Sequence, residues 1–106
     1  MNGGDLIKYY SDHGYFYEPD GELHSHVNFT DEEAHAIVAE AHRLGNKVAA
    51  HVIGNDGVAA ALRAGVDSIE HGVGLTAPQM EEMAQRGIYW VPTIIAVVYV
   101  AEDGAE

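Results

Sequence analysis

Two apolar runs in this sequence end on histidine. Lys47 to Gly54, KVAAHVIG, carries His51 three residues before a glycine, and Asp67 to Val73, DSIEHGV, carries Glu70 and His71 just before one. Apolar side chains are expected at such positions in a buried strand, so the imidazoles need a task. A third group belongs with them. In DLIKYY, strand alternation puts Leu6, Lys8 and Tyr10 on one face, which lets Lys8 project beside the histidines. The chain has no cysteine, so a metal would be held by nitrogen and oxygen alone. Neutral imidazoles with an anionic oxygen suit zinc or another divalent ion, which acidifies a bound water enough to make hydroxide available near neutral pH. Lysine can supply the anion: in a low-dielectric interior it tends to shed its proton, and a neutral amine reacts with carbon dioxide to give a carbamate able to bridge two metals. The chemistry on offer is hydrolysis, with Lys8, His51 and His71 as catalytic metal ligands of one or two ions.

Other polar residues carry less. His24 and His26, in the stretch HSH, are two imidazoles in a polar segment; such groups are commonly just solvated, although both could touch a substrate from above and, more rarely, replace a metal-binding pair. Glu70 should point to the face opposite His71, as a supporting carboxylate rather than a proton shuttle. His35 and His42 share an outer helix face, and Tyr9, Tyr10, Tyr15 and Tyr17 read as packing. Ser11, Ser25 and Ser68 lie in no Gly-x-Ser-x-Gly elbow, which argues against a serine hydrolase. The plainer alternative also stands: a strand histidine is often a hydrogen-bonded core residue, and Lys8 could guard an exposed strand edge.

The elements that must position these groups alternate. Asp5 to Tyr10 reads as a strand, and Tyr15 to Asn28 as a long polar loop broken by Pro19 and Gly21. Thr30 to Leu44 is a helix: Thr30 and Glu33 form a capping box, Ala34, Ile37, Val38, Ala41 and Leu44 recur at helical spacing, and Gly45 stops it. Lys47 to Ile53 is a strand apolar on both faces, Asp56 to Ala64 an alanine-rich helix ended by Gly65, and VDSIEH the next strand. Thr76 with Gln79 caps a third helix, whose core side includes Met80, Met83 and Ala84 and which ends at Gly87; IYWVPT follows as the fourth strand. Strands separated by helices imply parallel pairing with right-handed crossovers, and ligands then meet the carboxyl ends of the strands, where His51, His71 and Thr93 fall. The fold class is α/β, with about four parallel strands and three helices. That makes either a small open sheet or half of an eight-stranded TIM-type barrel, a fold of roughly 250 residues. The apolar run Ile94 to Val100, with nothing after it to cover it, favours the half-barrel.

The bulk numbers narrow the function. At 106 residues, 1–106 is one domain at most, and a formal charge of −12 opposes binding to nucleic acid or to anionic membrane surfaces. The start of the chain lacks the basic flank and apolar core of a signal peptide, and no apolar run approaches the roughly 20 residues of a membrane span, so a cytoplasmic protein is expected.

GDLIKYY, the run from EEAHAIVAEAHRLG through NKVAAHVIGNDGVAAALRAGVDSIEHGV, and MAQRGIYWVPT together resemble the middle of a metal-dependent amidohydrolase of the imidazolonepropionase and Xaa-Pro dipeptidase-like branch. The resemblance spans nearly the whole chain. It implies a distorted (β/α)8 barrel in which strand four supplies a carboxylated lysine, matched by Lys8, and strands five and six each supply a histidine, matched by His51 and His71. It also implies a His-x-His pair from strand one and an aspartate from strand eight, and this chain, matching strands four to seven, carries neither. The expected function is therefore a metal-dependent hydrolase of an amide, ester, lactone or phosphoester bond in a small-molecule substrate, formed as a homo-oligomer of half-barrels that covers the open edges. The alternative is a catalytically incomplete metal-binding or structural fragment of a larger barrel.

Overall fold

The computed structural model describes residues 6–92, in the order β1 (Leu6–Tyr10), β2 (Asp12–Tyr17), β3 (Leu23–Val27), α1 (Asp31–Arg43), β4 (Lys47–Val52), α2 (Asn55–Ala64), β5 (Ser68–His71), α3 (Ala77–Arg86) and β6 (Tyr89–Val91). Asp5, Thr93 and the run Ile94 to Val100 lie outside the described residues. β1, β4, β5 and β6 form one parallel sheet in that spatial order, so the chain is an α/β half-barrel of TIM type. Its register sets Lys8 beside Ala49, Tyr10 beside His51, and His51 beside Glu70.

Local chemistry accounts for the helices. Both predicted capping boxes are formed: Thr30 accepts from the Glu33 amide while Glu33 accepts from that of Thr30, and Thr76 and Gln79 repeat the exchange. α2 and α3 each end on a glycine in the left-handed region, Gly65 at φ 90° and Gly87 at φ 70°, where a side chain would be strained. The helices cover one face of the sheet. Tyr9, Val48, Ala50, Val52 and Ile69 from the strands meet Val38, Val58, Ala61, Leu62 and Met83 from the helices in a single core.

The other face is open. Leu6, Tyr10, Tyr89 and Val91 share a side with Lys8, His51 and Glu70 by register, and all four of these apolar side chains are exposed. Burial on both faces, expected from composition, holds only at the sheet centre, where Ala49 is fully buried. α3 departs from expectation for the same reason: Met83 is buried, but Met80 and Ala84 are exposed, α2 being the one helix packed against it among the described residues.

The predicted loop from Tyr15 to Asn28 is instead largely an antiparallel hairpin, with Asp12 opposite Val27, His13 opposite His26 and Phe16 opposite His24. A register shift between His13 and Phe16, where Gly14 takes φ 61°, breaks the alternation by which a strand is normally recognised. Glu18 and Glu22 close the turn through their backbones, around Pro19, Asp20 and Gly21.

Candidate functional site

Three strand ends converge on the open face. β4 delivers His51, whose ring lies 4.4 Å from that of Tyr10 on β1 and 4.5 Å from that of His71 on β5, the latter at 73° between planes. The Lys8 amine reaches within 3.2 Å of Glu70 Oε1, one strand beyond β4. Burial, and secondarily the charge His71 can carry, lowers the His51 pKa below its ordinary value, so this imidazole is held neutral with a lone pair to offer.

His71 arrives by an unusual route. Its register partner is Val52, whose side chain faces the helices, so plain alternation would send His71 there too. It takes φ 75° instead, the one non-glycine residue at positive φ among those described. The Gly72 amide closes back on the Glu70 carbonyl at 3.1 Å, making a γ-turn centred on His71, and also bonds the Val52 carbonyl at 2.8 Å. Gly72 itself sits at φ 60°, and a Cβ there would come within 2.8 Å of Leu75 Cδ1, so the tight departure of the chain requires glycine. The indole of Trp90 donates to the His71 carbonyl at 2.9 Å.

Three expectations are corrected. Glu70 does not point away from the site: it keeps the alternation of β5 and faces Lys8 and His51, while the turn at His71 is what breaks that alternation. The Lys8 side chain is 57 % exposed rather than enclosed, so the dry surroundings invoked for its carboxylation are not provided by the described residues. Tyr10, read as packing, instead stacks on His51 and is otherwise open to solvent.

His24 and His26 lie on one face of the hairpin in contacts of their own. His24 Nδ1 meets Asp56 Oδ2 at 2.7 Å and Nε2 meets Asp20 Oδ2 at 2.8 Å, and these carboxylates, Asp20 foremost, raise its pKa to about 8. His26 packs against Phe16 and His13. Asp20, Glu22 and His24 bring one potential ligand atom each within 4.8 Å of one another, but both His24 nitrogens already face carboxylates, which favours a held proton over a lone pair.

The hairpin also positions the site. Asp12, 2 % exposed, accepts from the amides of Ile53 and Gly54 immediately after β4, and Ser11 Oγ donates to the Gly57 carbonyl. Gly54 has no room for a Cβ, which would lie 2.5 Å from Ser25 Oγ. No periodicity marks Asp12 in the sequence; an acid two residues past an aromatic strand is its only signal. A cavity of about 200 Å³ lined by Lys47, Asp67, Ser68, Gly87 and Tyr89 opens at the opposite, amino-terminal end of the strands. Its carboxylate is committed to structure, since Asp67 Oδ2 takes His42 Nε2 and the Val48 amide.

A parallel α/β half-barrel with paired imidazoles at the carboxyl ends of neighbouring strands is the architecture of a TIM-barrel hydrolase. The chain belongs to the amidohydrolase family, whose profile matches residues 3–106. Among solved structures it is similar to a Xaa-Pro dipeptidase with methionine bound in its active site, at 40% identity and a TM-score of 0.78 over 93% of this chain and 24% of that one. It is also similar to the ochratoxinase of Aspergillus niger, 37% identical over 79 residues that make up 74% of this chain and 16% of the relative, with a structural TM-score of 0.76. An uncharacterized protein of Mycobacterium tuberculosis is 39% identical over 67 residues, 63% of this chain and 18% of that protein. The chain thus spans about a quarter or less of each. No helix among the described residues is long and apolar enough to cross a membrane.

Proposed function

We propose that the open strand ends form part of the metal centre of a hydrolase, in which Lys8, His51 and His71 hold one or two divalent ions, zinc foremost. The observation that carries this reading is the contact between the His51 and His71 rings at 4.5 Å, reached only because His71 adopts a left-handed backbone. A histidine filling a core would need no such turn. The donor chemistry fits: His51 is held neutral, as a ligand must be, and Lys8 as a carbamate would add the anionic oxygen that two imidazoles lack. A divalent ion there supplies hydroxide near neutral pH by acidifying a water. As an ammonium Lys8 is paired with Glu70, a contact that carbamate formation would replace, and Tyr10 lies against one face of His51. The substrate class is a small molecule with an amide, ester, lactone or phosphoester bond; the dipeptidase and ochratoxinase relatives put amide-type substrates first to be tried.

In this reading the barrel is closed by a second copy, β6 of one chain lying beside β1 of the other to give eight strands. Both edges lack partners among the described residues, and the open apolar side chains Leu6, Tyr10, Tyr89 and Val91 would be covered. The small share of each relative that the chain spans favours a second reading, a piece whose remaining strands come from elsewhere in a larger barrel.

The test is elemental analysis across the size-exclusion peak of protein prepared without added metal, with activity followed before and after chelation. Near-stoichiometric zinc, iron or manganese in a dimeric peak, lost on His71→Ala, is expected. A metal-free peak that takes up no added zinc would refute the metal centre. Metal uptake without hydrolysis would leave the incomplete fragment.

A further inference from the structure

The left-handed turn at His71 is strained, and a neighbouring strand holds it. Trp90 lies on β6 opposite Ile69, so its side chain starts on the helix-facing side of the sheet. From there the indole runs past Gly72, where a Cβ would stand 3.0 Å from Nε1, and its N–H donates to the His71 carbonyl at 2.9 Å. That carbonyl belongs to the central residue of the γ-turn, whose φ of 75° swings the imidazole out of the position alternation would give it and against His51. The His71 carbonyl and the Gly72 N–H share one peptide plane that rotates as a unit, so holding the carbonyl also aims that N–H at the Glu70 carbonyl, the bond that closes the turn. Without the N–H, the Gly72 amide still has two carbonyls to choose between, Val52 and Glu70, and only the bond to Glu70 closes the γ-turn. Packing alone does not explain the indole: Trp90 stays 44 % exposed and stands outside the buried core.

We propose that Trp90 is a positioning residue for the metal centre: its indole N–H pins the His71 carbonyl and so keeps the two imidazoles together. The consequence for metal rests on the function proposed above, whereas the effect on the turn does not. The test compares the whole chain with its Trp90→Phe variant, which keeps an aromatic ring beside Gly72 and removes the donor. In metal-free protein, nuclear Overhauser effects between the His51 and His71 rings, and the amide coupling constant of His71, are expected to report the close pair and positive φ in the parent and to lose both in the variant. Cobalt(II) titration, read by visible absorption, should then show about tenfold weaker binding in the variant.

Unchanged ring contacts and coupling in Trp90→Phe would overturn the proposal. If the parent binds no cobalt while the variant still loses the ring contacts, the metal reading fails and the positioning role stands. Should the variant not fold, the parent's indole N–H decides: slow exchange supports the proposal, and exchange at the rate of a free indole refutes it.

Discussion

Replacing His71 by alanine and by glycine separates the cost of its backbone from the value of its ring. Both variants delete the imidazole, so the ring contact to His51 is lost equally, and the difference between them belongs to φ 75°. An L-residue in the left-handed region costs roughly 1–2 kcal/mol, a penalty alanine keeps and glycine escapes. Glycine in turn loses about 0.4–1 kcal/mol through the greater freedom of its unfolded chain. The balance favours His71→Gly over His71→Ala by about 0.8 kcal/mol at the middle of a range of roughly 0–1.6, which for a domain of this size is several degrees in Tm, on the order of 4–8 °C per kcal/mol. Urea unfolding followed by circular dichroism, at one salt concentration and one protein concentration, measures the difference directly. An alanine variant as stable as the glycine variant would show that the turn relaxes freely and that the strain assigned to His71 is not there.

Gly57→Ala should be costly despite adding helix propensity, because the new Cβ would stand 2.3 Å from Asp12 Oδ2 and 2.6 Å from Val52 Cγ1, both buried; a loss of about 1–3 kcal/mol is expected in the same unfolding assay. His24 is protonated in the folded chain up to about 8 against an ordinary 6.5, so its contribution is fully present below about pH 6.5 and fades as the pH rises through 8. The urea midpoint should fall across that window in the parent and stay flatter in His24→Gln, and identical slopes would remove the clamp formed with Asp20 and Asp56. Two chains of charge −12 repel, so sedimentation should show self-association strengthening from low to moderate salt; a monomer at every ionic strength would remove the paired half-barrel.

The helices and the parallel sheet were legible because their signals are local and redundant. Thr30 with Glu33 and Thr76 with Gln79 announce helix starts, Gly65 and Gly87 announce ends, and each stop is followed by an apolar run. The hairpin was not, since the irregularity at Gly14 scrambles its alternation and its buried positions are the polar Asp12 and Ser25, where apolar residues normally mark a strand; only Pro19, Asp20 and Gly21 pointed to its turn. Of the candidate site, His51 and His71 stood out near strand ends and Lys8 by alternation; the structure brings the two imidazoles together and sets Lys8 mid-strand on the face of His51, paired with Glu70. The roles of Glu70, Tyr10 and Asp12 depend on which face a side chain takes and on contacts more than 40 residues apart in the case of Asp12, neither of which a local pattern encodes. Strict period-two reasoning assigned Glu70 correctly relative to His71 in principle and failed because the γ-turn ends the period one residue early.

Trp90 is the sole tryptophan of the chain. All indole emission therefore originates beside one carbonyl, that of His71, and the protein carries its own optical probe at the strand end that matters most. Changes in fluorescence intensity or wavelength on adding an ion, an inhibitor or a second half-barrel can be assigned to a known place without labelling, and stopped-flow mixing can time them.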